Sequence, residues 1–148
     1  MQVSQTAEYA LRAMAHLASR RQEEEGTRAV DLADEVNVPL AYLQKILRRL
    51  VVAGLLESRK GHGGGFRLVL PPNRISFGQV LEAADGAMDA GHCAFGWEDC
   101  DPNHPCPLHP AWSRLNECIS AWAENTTLAD VIGPKAQARR PAAARSRK

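Results

Sequence analysis

The stretch VPLAYLQKILRRLVVAGLLESRKGHGGGFRL, residues 38–68, decides the fold of this chain. Its apolar residues first recur at spacings of three and four, which predicts a helix over about 40–53. Residues 55–59 and 66–70 then alternate apolar and polar side chains, as strands do, and KGHGGG joins them. Three successive glycines permit positive φ angles and a close backbone approach, which a simple two-residue turn does not require. The stretch therefore predicts a helix followed by a β-hairpin with a basic, glycine-rich tip.

Two earlier helices are predicted from the same kind of spacing. A first amphipathic helix is expected over about 6–19, and a short second helix ends before a tight turn at 37–39. Pro39 is expected at the first position of the third helix, where no backbone donor is needed, and Gly54 is expected to end that helix in a left-handed conformation. A helix, a short turn and a second helix form the helix-turn-helix pattern, and the hairpin would be its wing.

The second half of the chain is predicted to be helical apart from one long loop. Ser76 followed by Gln79 predicts a capping box and a helix over 77–85. Periodicity then fails over 86–107 and returns in a long helix over about 110–125. The apolar stripe of this helix consists of Trp112, Leu115, Ile119 and Trp122. We expect the stripe to pack against the same helix, or the first helix, of a second subunit; packing within one chain is the alternative.

These elements predict a mainly α fold with a small β-hairpin wing, in which a winged helix-turn-helix precedes a long C-terminal dimerisation helix. We expect a DNA-binding domain over 1–75, the cysteine loop and dimerisation helices over 76–132, and a disordered basic tail over 133–148. The 148 residues have a net charge of only +1, but basic residues concentrate at 40–67, where Glu57 alone is acidic. Such a patch suits a phosphate backbone, although a solvated helix face has a similar composition.

The predicted DNA-contacting residues lie on the third helix and on the wing. Tyr42, Gln44 and Lys45 are expected near the start of the helix, where base edges are within reach, and glutamine can bond adenine at two atoms. Arg48 and Arg49 are expected on phosphates, which fix the register without reading sequence. The wing candidates for contacts in or beside a minor groove are Arg59, Lys60, His62 and Arg67. Double-stranded promoter DNA is therefore the expected partner.

Composition and motifs disfavour several classes of protein. The chain has no run of about 18 apolar residues and no basic start followed by an apolar core, so we expect neither a membrane span nor a secretory signal. It shows no phosphate-binding loop, no Ser/His/Asp set and no paired carboxylates, so we do not expect an enzyme. We expect a cytoplasmic protein, because thiols stay reduced there and clustered cysteines then serve metal or redox chemistry.

Three cysteines stand in the proline-rich segment CAFGWEDCDPNHPCPLH. Cys93, Cys100 and Cys106 are separated by six and five residues, so a folded loop rather than a helical turn has to bring them together. Soft thiolates hold zinc or an iron–sulfur cluster, and the lack of a C-x-x-C pair disfavours a zinc ribbon. Cys118, in the long helix, is expected to be a small buried residue.

The chain resembles the IscR/NsrR family of bacterial iron–sulfur transcription regulators over about residues 1–132. The resemblance rests on TAEYALRAM at 6–14, on the stretch at 38–68, and on three cysteines before the last long helix. It implies a winged helix-turn-helix homodimer that binds roughly palindromic promoter sites and holds a [2Fe–2S] or [4Fe–4S] cluster. Several members of the family hold such a cluster and respond to nitric oxide, iron supply or redox state.

The resemblance also implies roles for single residues. His109 matches a ligand histidine in one branch of the family, and Glu8 matches the place where another branch offers a carboxylate from the partner subunit, so the fourth ligand stays open. Gln44 matches a position that the family uses for base selection. The resulting prediction is a dimeric repressor or dual regulator whose operator binding is controlled by an iron–sulfur cluster. The alternatives are a regulator of the same fold that uses zinc or bare thiols, an iron–sulfur enzyme or electron carrier, and a winged helix that binds protein instead of DNA.

Overall fold

A computed structural model of the chain describes residues 4–20, 25–86, 101 and 103–132. Within these residues the helices are α1 (Gln5–Ser19), α2 (Ala29–Val36), α3 (Leu40–Val52), α4 (Phe77–Asp85), α5 (His109–Asn125) and α6 (Leu128–Val131). The strands are β1 (Leu56–Arg59) and β2 (Gly65–Leu68), and a 3-10 turn (Pro72–Arg74) precedes α4. The predicted mainly α fold with a two-stranded hairpin is confirmed, and the predicted tail at 133–148 lies outside the described residues.

Helices α2 and α3 are joined by the tight turn that the sequence predicts. Asn37 takes the left-handed conformation there, with a φ of 53°. Pro39 stands just before α3 rather than at its first position, because its ψ of 128° is not helical, and the helix begins at Leu40. At the other end of α3, Gly54 has a φ of 75°, so the predicted left-handed end is confirmed.

The core lies where α1, α2, α3 and α4 meet. The buried face of α3 consists of Leu43, Ile46, Leu47 and Leu50, at the three- and four-residue spacing predicted from the sequence. These side chains belong to one cluster with Met14 of α1, Leu32 of α2 and Val80 of α4. Burying each large apolar side chain contributes about 1.5–3 kcal/mol to the free energy of unfolding before chain entropy is counted. This packing determines which sides of α3 face outward.

The wing hairpin is held against the segment that connects α1 to α2. Strands β1 and β2 pair antiparallel, with Arg59 opposite Gly65. Thr27 extends this sheet, since the Phe66 N–H donates to the Thr27 carbonyl at 2.8 Å and the reverse bond is 3.1 Å. A Cβ on Gly64 would lie 2.4 Å from the Arg59 carbonyl oxygen. Glycine is therefore required at the wing tip for packing of the hairpin itself.

Helices α4 and α5 contact each other near the start of α4. The predicted capping box is confirmed, because the Ser76 N–H donates to Gln79 Oε1 at 2.9 Å and the Gln79 N–H donates to Ser76 Oγ at 3.3 Å. The Trp122 ring of α5 stands edge-on to the Phe77 ring of α4, with centroids 5.6 Å apart. Ala123 is the one buried residue of α5, a helix that the structure describes in full.

Two of the four residues in the apolar stripe of α5 stay exposed among the described residues. Leu115 and Trp122 are each 46% exposed, while Trp112 and Ile119 are half-buried. Cys118 is exposed, so its predicted burial is wrong for the single chain, because α5 buries only its Ala123 position. Neither α5 nor any other described helix combines the length and apolar character that crossing a membrane requires.

Candidate nucleic-acid interface and cysteine site

One flank of α3 faces the wing and carries two of the predicted DNA-contacting side chains. Gln44, Arg48 and Val51 stand four and three residues apart, so they share this flank. They line an open cleft of about 410 Å³ between α3 and the hairpin. The other lining residues are Ala29, Ser58 and Phe66. Gln44 and Arg48 are both exposed, and a nucleic acid can therefore approach them from outside.

The wing and the outer side of α3 add further polar side chains. The exposed candidates are Lys45, Arg59, Lys60 and His62. Arg59 forms an ion pair with Glu57, with 3.2 Å between nitrogen and oxygen. Arg67 is half-buried, and its guanidinium donates to the Gly63 carbonyl at 3.5 Å, which directs it towards the tip of the hairpin. The local surface is thus basic, with Glu57 as its partial counter-charge.

Tyr42 and Arg49 lie on the other flank of α3, away from the cleft. The Tyr42 hydroxyl is 3.0 Å from Thr6 Oγ1, and its ring stands edge-on to the Tyr9 ring with centroids 5.7 Å apart. The Arg49 guanidinium donates a hydrogen bond to the Ala84 carbonyl. The structure therefore engages both side chains with α1 and α4, and it groups only Gln44 and Arg48 of the predicted α3 residues at the cleft.

The cleft also includes residues that the sequence did not single out. Ser58 lines it from β1 and Ala29 from the first turn of α2. Ser58 is opposite Phe66 in the hairpin, so the strand register is a signal that could have placed it. Nothing in the local sequence marks Ala29, because its place depends on how α2 packs on α3.

Only the end of the cysteine segment belongs to the described residues; Cys93 and Cys100 lie outside them. Cys106 is half-buried, three residues before α5 begins. The His109 N–H donates to the Cys106 carbonyl at 3.0 Å, so one turn joins a predicted ligand cysteine to a candidate fourth ligand. Across the part of the chain that the structure describes, no three His, Cys, Asp or Glu side chains gather as a metal site.

Asp101 organises the turn that leads to Cys106. Its carboxylate accepts the Asn103 N–H at 2.8 Å and lies 2.8 Å from Nδ1 of His104. The bond with His104, together with the Asn103 N–H, holds the pKa of Asp101 below its ordinary value of 3.8. His104 thus takes part in the local structure of the loop through its contact with Asp101.

Glu8, the second candidate for the fourth ligand, lies in the first turn of α1. Its carboxylate forms an ion pair with Arg12, one helical turn further on. The two side chains are 50% and 43% exposed, and an ion pair in such a solvated position contributes little to stability. Glu8 can therefore exchange Arg12 for another partner at small cost.

Comparison with known sequences identifies the family. The sequence model of the Rrf2 family, described as an iron-dependent transcriptional regulator, matches residues 3–134. The HTH-type transcriptional regulator IscR from Serratia proteamaculans is 34% identical over 132 residues, which cover 89% of this chain and 79% of that protein. An HTH-type transcriptional regulator from Neisseria meningitidis serogroup B is 34% identical over 138 residues, 91% of this chain and 90% of the relative.

Solved structures share the fold. CymR of B. subtilis, described as the global cysteine regulator, superimposes with a TM-score of 0.74 at 25% identity, covering 95% of this chain and 99% of CymR. IscR of T. potens also gives a TM-score of 0.74, at 22% identity and with 96% and 93% coverage. These relatives are transcriptional regulators rather than enzymes. The chain therefore belongs to the Rrf2 family of helix-turn-helix transcriptional regulators, as its resemblance to IscR predicted.

Proposed function

We propose that this Rrf2-family regulator is a cytoplasmic, homodimeric repressor whose operator binding is controlled by an iron–sulfur cluster that responds to nitric oxide, redox state or iron supply. The observation that carries the proposal is the turn that joins Cys106 to His109 at the start of α5. This turn connects the three-cysteine segment directly to the helix with the exposed apolar stripe. A change at the cysteines can thus act on the proposed contact between subunits.

DNA binding is proposed to use α3 and the wing together. In this arrangement α3 enters the major groove, Gln44 reads a base edge, and Lys45 and Arg48 meet the backbone. The support is that Gln44 and Arg48 share one exposed flank beside the hairpin. The wing residues proposed to contact the backbone or a minor groove are Arg59, Lys60, His62 and Arg67.

A second copy of the chain is proposed to cover the apolar stripe of α5. Leu115 and Trp122 are each 46% exposed, and large apolar side chains on one helix face mark an interaction surface. A two-fold axis would place the same stripe on both sides of the contact. The two helix-turn-helix domains of the dimer would then be held at a defined separation, which a palindromic operator requires.

The proposed cluster ligands are Cys93, Cys100 and Cys106, with His109 or Glu8 at the remaining position. The donor set fits, because a [2Fe–2S] or [4Fe–4S] cluster takes four protein ligands in all, and three thiolates with one imidazole or carboxylate supply four. A cluster held by these residues would supply the chemistry that reacts with nitric oxide or an oxidant, and the non-cysteine ligand would be the more readily displaced protein group. His109 shares a turn with Cys106, whereas Glu8 first has to leave Arg12.

Anaerobic purification of the full chain tests the cofactor. We expect a brown protein with visible absorption and stoichiometric iron and acid-labile sulfide. Cys106→Ala should lose both iron and sulfide, whereas Cys118→Ala, a matched change at an exposed position of α5, should keep them. Wild-type protein that contains neither iron nor sulfide would refute the cluster.

A second candidate is a regulator of the same fold that uses zinc or free cysteine thiols as a redox switch. The similarity to CymR supports it, because S. aureus CymR, whose structure is described as an oxidized form, gives a TM-score of 0.69 at 25% identity. The same preparation separates the two candidates. A colourless protein with stoichiometric zinc, or one whose DNA affinity follows thiol oxidation without iron, would favour the second.

A further inference from the structure

Three polar bonds connect the helices α1, α3 and α4 to one another, one bond for each pair of helices. We call them the polar triangle: Ser4–Asp85 between α1 and α4, Thr6–Tyr42 between α1 and α3, and Arg49–Ala84 between α3 and α4. In the two bonds that involve α3, the bonded residues are far apart in the sequence. Thr6 and Tyr42 are separated by 36 positions, and Arg49 and Ala84 by 35. These bonds are therefore made only when the three helices are packed together.

The Arg49 bond satisfies the C-terminal end of α4. The last carbonyls of a helix lack partners within it, and the end carries partial negative charge. Helix α4 has no basic residue in its own last turn. The Gly86 N–H accounts for the Glu82 carbonyl, and Arg49 supplies a charged donor from α3 to Ala84. The guanidinium of this exposed side chain is thus engaged by the protein itself, on a group whose charge it complements.

The other two bonds hold the N-terminal end of α1 to the same place. Ser4 Oγ accepts the Ala7 N–H at 3.0 Å, as a helix cap, and donates to the Asp85 carboxylate. A carboxylate at this position is favoured by the positive end of α1. Two residues further along, Thr6 bonds the Tyr42 hydroxyl of α3. Helix α3 is consequently fixed near both its ends, by Tyr42 on α1 and by Arg49 on α4.

We propose that Tyr42 and Arg49 are positioning residues, which set the rotation of α3 about its own axis and do not contact DNA. They are seven positions apart, two helical turns, and so share one flank. Gln44 and Arg48 occupy the flank at the cleft. A rotation of α3 would move Gln44 away from the base edge it reads. The inference rests on the proposed docking of α3 in the major groove.

The test measures DNA affinity against salt for full-length wild type, Arg49→Gln and Arg48→Gln. The probes are a duplex that the wild type enriches from a randomised pool and a random duplex of equal length. Arg48→Gln removes a phosphate contact, so the fall of log affinity with log salt should become shallower, by about 0.9 in slope. Arg49→Gln should keep the wild-type slope and the wild-type affinity for random DNA, but lose about tenfold in affinity for the enriched duplex, comparable to one charged hydrogen bond.

The outcomes separate the possible failures. If the salt dependence becomes as shallow for Arg49→Gln as for Arg48→Gln, Arg49 contacts a phosphate. That result would overturn the inference and leave the proposed docking of α3 standing. Unchanged affinity of Arg49→Gln for the enriched duplex would overturn it as well. A normal slope for Arg48→Gln would refute the docking of α3, and the inference would fall with it. If Arg49→Gln fails to fold, Tyr42→Phe takes its place, since it removes only the hydroxyl. We expect weaker binding to the enriched duplex with an unchanged salt slope. Binding to the enriched duplex equal to that of the wild type would refute the proposal.

Discussion

Helices α3 and α5 are both amphipathic, but α3 buries far more of its apolar face than α5 does. Helix α3 buries four large aliphatic side chains in 13 residues, and they all belong to the core of its own chain. Helix α5 has 17 residues and buries only Ala123, leaving Leu115 and Trp122 half open. The helix-turn-helix is thus packed within its own chain, whereas α5 leaves large apolar side chains exposed among the described residues. The difference indicates that α3 stabilises the fold of the single chain and that α5 offers the apolar surface on which the proposed dimer depends.

The largest expected effect concerns the core of α3. Leu47→Ala removes a fully buried side chain and should lower the free energy of unfolding by about 2–5 kcal/mol, since it loses both burial and packing. Denaturant unfolding followed by circular dichroism measures it. Val52→Ala on the same helix, at a position that is 84% exposed, is the control and should change stability by less than about 0.5 kcal/mol. Similar losses for the two variants would contradict the described orientation of α3.

The next effect concerns the stripe of α5. Leu115→Glu should weaken the proposed dimer on the order of a hundredfold, because a charge would enter its apolar contact without a partner. Sedimentation equilibrium measures the dissociation constant. Ala121→Glu introduces the same charge at another exposed position, close to the opposite side of α5, and should leave the dimer intact. A dimer that tolerates Leu115→Glu would mean that the stripe has another occupant.

A third prediction compares two glycines, one in the wing and one under α5. Gly64→Ala should destabilise the protein by about 1–3 kcal/mol, because its Cβ would lie 2.4 Å from the Arg59 carbonyl oxygen. Gly78→Ala, in α4, would meet the Ala123 carbonyl oxygen at an ordinary 3.5 Å and should stabilise the helix by up to about 1 kcal/mol. Opposite signs in thermal unfolding are expected. A neutral Gly64→Ala would show that the hairpin can open at its tip.

The smallest predicted effect depends on pH. Asp130 accepts the Thr127 N–H at 2.7 Å and the Thr127 hydroxyl at 2.8 Å, and these bonds hold its pKa below the ordinary value of 3.8. Its stabilising contribution is therefore complete above pH 3.8 and is lost as the pH falls through the lower folded value. Asp130→Asn should be slightly less stable than wild type at neutral pH and equal to it in acid. Asp34→Asn, at an exposed position, is the control. A difference in stability between Asp130→Asn and wild type that grows in acid would contradict the role given to Asp130.

The sequence could predict the structural features that are determined by residues close together in the chain. The spacing of Leu43, Ile46 and Leu47 predicts the buried face of α3, and the capping box at Ser76 predicts the start of α4 within one residue. Both signals act within one or two helical turns.

The distribution of the outward residues of α3 could not be predicted in this way. Whether Arg49 meets a phosphate or the Ala84 carbonyl depends on where α4 packs, 35 positions along the chain. The exposure of Cys118 likewise depends on how much of α5 the chain covers. Helical spacing shows that residues share a face, but it does not show what that face meets.

The most direct test of the central claim is the operator affinity of anaerobically prepared protein before and after exposure to nitric oxide. We predict that wild type and Cys118→Ala bind the enriched duplex tightly and lose affinity together with the visible absorption of the cluster. Cys106→Ala should lack that absorption, and its DNA affinity should not respond to nitric oxide. Full absorption combined with an undiminished response in Cys106→Ala would contradict the control of this regulator through its cysteine segment.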